Sequence, residues 1–115
     1  MNKPISTNNA PHFTWGEDCD GWWLKQGGRF TVITEVMPPG SSEKNHYHQH
    51  TEQFFYCLKG RLVIRLKDHE VTLSEQESYT IAPKTTHQVK NIFEETAYFL
   101  VISSPNSHTD RVNLE

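Results

Sequence analysis

No window of this chain repeats its apolar residues with a helical period, and that limits what it can fold into more than any single motif does. Short β-branched or aromatic segments take its place, each ended by turn residues. Arg29 to Met37 suits a strand buried on at least one face, and Pro38-Pro39-Gly40 stops it, since two prolines cannot donate to a ladder. Gln53 to Leu58 is aromatic and strand-like, with Lys59-Gly60 as punctuation. Leu62, Ile64 and Leu66 alternate with Val63, Arg65 and Lys67, turn at Asp68-His69, and resume at Val71 and Leu73 as a hairpin. Ser78 to Ala82 and His87 to Ile92 flank a turn at Pro83-Lys84, and Thr96 to Ser103 is the most hydrophobic strand. Many short strands at this spacing predict an all-β sandwich or closed barrel.

A length of 115 residues suits one domain. Residues 1–11, polar with two prolines, read as a flexible tail ahead of a barrel over 12–115, and the chain from Pro105 on is polar again. Hydrophobic residues are only 35%, yet 3 Trp, 4 Tyr and 6 Phe are too many aromatics for a disordered segment. With a formal charge of −3 and scattered Lys and Arg, neither a nucleic acid nor a membrane is an expected partner. No apolar run approaches the ~20 residues a membrane span needs, and the N-terminus lacks the apolar core of a secretory signal. Cys19 and Cys57 are too few for a disulfide framework, so the reducing cytoplasm is the expected compartment.

Three histidines fall in HYHQH, at 46, 48 and 50. Residues two apart in a strand share a face, so His46 and His48 can present two imidazoles to one point. A His-x-His pair alone is also what a polar surface loop can carry. The surroundings add to it: Gly40, five residues, His46-x-His48, four residues, Gln53, six residues, Gly60. Downstream, QESYTIAPKTTHQVKN places His87 three residues before Asn91. The two stretches resemble the paired motifs of the cupin family. The second departs from the family pattern, with Gln76, Ala82 and Lys84 where it has Gly, Pro and Gly. The resemblance implies an antiparallel jelly-roll β-barrel of six to eight strands. It also implies a divalent transition metal inside the barrel, Fe, Mn, Ni, Zn or Cu, held by His46, His48, His87 and a fourth ligand.

The family's fourth ligand is Glu, but counting back from Gly60 reaches Gln53. Glu52 competes if a bulge precedes Gly60. Strand parity favours Gln53, which shares a face with Phe55 and Cys57, whereas Glu52 goes with Phe54, Tyr56 and Leu58. Three imidazoles and an amide would leave the +2 charge uncompensated and attract an anionic oxygen.

His50 continues the i, i+2 series and is the candidate acid–base residue, with Glu52 the other titratable candidate; the plain alternative for His50 is polar rim. Cys57 is expected to be a small inward hydrophobe. Trp22 and Trp23 follow an apparent Asp-Gly turn, with core packing as their expected role, and Asp110-Arg111 either reaches the barrel or lies in a solvated tail. His12, His69 and His108 take no role. A metal-dependent dioxygenase, isomerase or lyase acting on a small oxygen-bearing ligand is the expected function, against a non-catalytic binder of a small carboxylate or sugar. The aromatic run QFFY and the strand YFLVI predict a homodimer, because one small barrel cannot cover both faces of such strands.

Overall fold

In the computed structural model, residues 3–105 and 110–114 are described. They form eleven strands and no helix: β1 His12–Trp15, β2 Cys19–Lys25, β3 Thr31–Met37, β4 His46–His48, β5 Glu52–Lys59, β6 Leu62–Leu66, β7 Glu70–Leu73, β8 Ser78–Ile81, β9 His87–Lys90, β10 Ala97–Ser104 and β11 Arg111–Asn113. Two antiparallel sheets face each other as a jelly roll. One has the order β1-β2-β3-β10-β5-β8, the other β11-β4-β9-β6-β7.

Each sheet turns one set of alternate residues inward. Phe55 and Cys57 of β5, Phe99 and Val101 of β10, and Met37 of β3 meet Leu62, Ile64 and Val89 of the other sheet in a common core. Burying a side chain of this size stabilises the fold by roughly 1.5–3 kcal/mol, so these positions hold the layers together. Gly60, at the end of β5, has φ +78°, and a Cβ there would lie 2.5 Å from the Thr96 carbonyl oxygen. Only glycine suits that close approach to β10.

Gln76 and Lys84, which stand where the family pattern has glycine, both adopt left-handed backbone, at φ 67° and 65°. The turns therefore keep the glycine conformation without the glycine. Gly40 and Asn91, the first and last residues of the paired motifs, are joined directly, Gly40 N–H donating to the Asn91 carbonyl at 2.8 Å. The Asn91 side chain donates to the carbonyls of Met37 and Glu95 and accepts from Phe93 N–H, so its role is structural.

One expectation needs correction, and one open alternative is decided. Asp20-Gly21 is no turn but lies inside β2, paired with Thr14 and Phe13; the hairpin turns at Gly16 to Asp18 instead. Of the two readings of Asp110-Arg111 the one that reaches the barrel holds, since β11 pairs with β4, Arg111 opposite His48 and Asn113 opposite His46.

Candidate metal centre

β4 is short and lies between β11 and β9, with both of its histidines turned inward. His46 is opposite His87 of β9. The three rings of His46, His48 and His87 are 2%, 5% and 1% exposed, and one nitrogen from each lies within 4.8 Å of the other two. Imidazole nitrogens are ligands that zinc and its neighbours accept, so these three residues could hold such an ion.

The other ring nitrogens show which atoms face the centre. His46 Nδ1–H donates to the Lys44 carbonyl at 2.9 Å, and His87 Nδ1–H to the Thr85 carbonyl at 2.9 Å. A carbonyl can only accept, so both rings keep their lone pair on Nε2. His48 Nδ1–H is given to a carboxylate, Asp110 Oδ1, at 3.1 Å. The Nε2 atoms of His48 and His87 are buried without a hydrogen-bond partner. Buried nitrogen lone pairs are rarely left bare, and a metal ion is the partner that three converging imidazoles suit.

Burial pushes the His46 ring down to about 2, reinforced by His87 and then Arg111. Burial likewise lowers His87 to about 4. His48 is lowered by burial too, with Asp110 pulling the other way. All three rings are neutral at physiological pH, the form that binds metal.

Gln53 lies inward on β5, across from the histidine sheet, and is 7% exposed. Its Nε2 donates to Ser103 Oγ at 3.2 Å, while its Oε1 is buried with no partner. An orphan amide oxygen on a side chain that interacts with the His48 ring suits a fourth, neutral donor. Glu52 is exposed on the opposite face of β5. His50 is exposed in the bend after β4, and its backbone amide, donating to Asp110 Oδ2 at 2.8 Å, is what engages the site.

The cavity beside Gln53 has a volume of about 350 Å³ and aromatic walls from Phe13, Trp15, Trp23 and Phe55. Its titratable groups are Glu35, Glu43 and Arg111, none of them apparent as site residues from the sequence. Burial raises Glu35 well above the usual carboxylate range, with the Glu43 charge adding to it. Burial raises Glu43 to about 7 against the pull of Arg111. Glu43 Oε2 accepts from Val89 N–H at 3.0 Å and lies 3.8 Å from His46 Nδ1, and Arg111 reaches its other oxygen at 3.5 Å. Parity with the inward Ile33 and Met37 is the signal that marks Glu35. For Arg111 the sequence offers only the alternative that Asp110-Arg111 reaches the barrel. Carboxyl groups thus stand behind two of the three histidines, Asp110 at His48 and Glu43 near His46.

Residues 33–103 match the family model described as Cupin domain. The chain belongs to the cupin family. This cupin is 30% identical over 93 residues to an uncharacterised protein of Methanocaldococcus jannaschii, covering 80% of this chain and 74% of that one. Over 55 residues it is 31% identical to the tetracenomycin polyketide synthase protein TcmJ of Streptomyces glaucescens, which is 48% of this cupin but 37% of that protein. The polyketide cyclase RemF from Streptomyces resistomycificus superposes with a TM-score of 0.85 at 18% identity, over 100% of this cupin and 87% of that chain, a likeness of fold. Among the described residues no helix is long and apolar enough to cross a membrane, and both cysteines are buried and free.

Proposed function

We propose that this cupin is a metal-dependent enzyme that moves a proton on a small oxygen-bearing molecule inside the barrel, an isomerase or lyase type of chemistry. The observation that carries this reading is Glu35, a half-buried carboxyl group in the cavity that Gln53 also lines, with desolvation and the neighbouring Glu43 favouring its protonated form. His46, His48, His87 and Gln53 would hold the ion, which supplies Lewis acidity to a substrate oxygen. Glu35 Oε is the group that would carry the proton a reacting carbon or oxygen gains or loses. Trp15, Trp23, Phe13 and Phe55 line the cavity and would pack against the ligand's apolar surface. Arg111, which also lines the cavity, would attract an anionic group of the ligand.

The family also supports two other readings. Over 63 residues this chain is 27% identical to the quercetin 2,3-dioxygenase of Bacillus subtilis, which keeps oxygen chemistry in view. Arg111 in the cavity equally suits a non-catalytic binder of a small carboxylate. Free, buried cysteines support a reducing, cytoplasmic setting.

The test uses protein loaded with Co(II) and a panel of hydroxy acids, sugar acids, β-dicarbonyls and phenols. We expect at least one class to change the cobalt spectrum and to return from D₂O with deuterium at a carbon beside its oxygen. Glu35→Gln should keep the spectral change and lose the labelling. Probes that bind and return unlabelled would make the protein a binder, and products gaining oxygen from O₂ would make it a dioxygenase.

A further inference from the structure

We infer that Asp110 is a positioning residue for the metal centre, fixing the His48 ring and supplying the negative charge that the inner donor set lacks. The inference rests on the metal reading above and extends it to a part of the chain remote from both motifs.

Asp110 is engaged on both oxygens. Oδ1 accepts from His48 Nδ1–H at 3.1 Å. Oδ2 accepts from His50 N–H at 2.8 Å, Thr51 N–H at 3.1 Å and Thr51 Oγ1–H at 3.0 Å. Its own carbonyl accepts from Gln49 N–H at 3.3 Å. One carboxylate thus gathers the whole turn between β4 and β5, the segment that joins the ligands His46 and His48 to Gln53. The strand that follows it, β11, is paired with β4, so the carboxylate sits on a rigid neighbour and not on a free end.

The three histidines are not treated alike. His46 and His87 give their Nδ1 protons to backbone carbonyls, which are neutral. Only His48 gives its proton to a full negative charge. A carboxylate behind an imidazole fixes the tautomer and makes the facing Nε2 a stronger donor to a cation. With an amide where the family pattern has Glu, the carboxylate that most directly reaches the ion's ligands is the one standing behind His48. Arg111, next in the chain, reaches Glu43 beside His46, so consecutive residues of one segment brace two of the three ligands.

The role has a readout apart from turnover. Metal-free protein, reloaded with Zn(II) in competition with a chelator, should bind about 10–100-fold more weakly after Asp110→Ala. Asp110→Asn keeps an oxygen acceptor without the charge, and its loss should be smaller. Long-range ¹H–¹⁵N spectra of the metal-free forms should show His48 protonated on Nδ1 in the wild type and in Asp110→Asn, with that preference lost in Asp110→Ala. A merely structural residue would shift folding stability without changing the tautomer. Folded Asp110→Asn and Asp110→Ala proteins binding Zn(II) as tightly as wild type would overturn the inference, as would a wild-type His48 protonated on Nε2. A wild-type protein that took no metal would instead overturn the proposed function, and this inference with it.

Discussion

At residue 53 the strand takes an amide where the family pattern has a carboxylate, and its neighbour at 52 is a carboxylate turned the other way. Gln53→Ala should weaken metal binding, while Glu52→Ala should leave it unchanged and alter stability by less than about 0.5 kcal/mol, as exposed positions generally do. Metal content after dialysis against a weak chelator checks both. Gln53→Glu should bind more tightly, because a charged oxygen meets the ion and Ser103 Oγ can turn to donate to it. If Glu52→Ala stripped the metal and Gln53→Ala did not, the inward assignment of Phe55 and Cys57 would have to be given up as well. The histidines were legible because alternation puts His46 and His48 on one face and the motif brings in His87. Glu35 was less so: a single charge within TVITEVM reads as an exposed position unless its parity with Ile33 and Met37 is weighed. Asp110 is 62 residues from His48, and no local pattern reaches that far.

The turns carry a conflict of their own. Lys84 sits at φ 65° in the turn between β8 and β9, and its N–H donates to the His48 carbonyl at 2.6 Å, tying that turn to β4. An L-residue in this conformation costs roughly 1–2 kcal/mol, part of which glycine would lose again through its freedom in the unfolded chain. Lys84→Gly should therefore stabilise the protein by up to about 1 kcal/mol in urea unfolding, with metal binding intact. A destabilised variant would mean that the lysine side chain makes a compensating contact. Among the elements, most strands could be placed from β-branched and aromatic runs between turn residues. The β1–β2 hairpin was obscured because Asp20-Gly21, a common turn pair, is used inside a strand. β11 was obscured because RVN has too few apolar residues to announce a strand; its pairing with β4 comes from the sheet, not from its own propensity.

For the whole molecule, the outer face of the six-stranded sheet is unusually apolar. Phe54, Leu58 and Tyr98 are exposed there, with Val32, Tyr56, Leu100 and Ile102 half-buried around them. Such a face is expected to pair with a second copy of the chain. Light scattering should give about twice the 13.4 kDa of one chain, and Phe54→Glu should shift the mass toward the monomer. A wild-type monomer at high concentration would refute the pairing. Acid stability is also set by groups on both sheets. In metal-free protein, His87 at about 4 and His46 at about 2 stay neutral where unfolded histidine, near 6.5, takes up a proton. Their contribution to stability is complete above 6.5 and is lost as pH falls toward those values. Glu43, raised to about 7, acts in the opposite sense: its contribution is present below 4.5 and lost as pH rises through 7. His87→Gln isolates one term. Relative to wild type, this variant should gain about 3 kcal/mol between pH 7 and pH 4 in chemical unfolding of the metal-free forms.

The proposed donors come from both layers of the jelly roll, the histidines from β4 and β9 on one side and Gln53 from β5 on the other. An ion held among them would act as a rivet through the two sheets. Neither sheet could then slide over the other, or peel away at that end, without first breaking a coordination bond. Small molecules would have to enter through the mouth of the barrel and not by parting its walls. Order of synthesis bears on the same centre: His46, His48 and Gln53 leave the ribosome before His87, so the set that could hold an ion is complete only once β9 has joined β4.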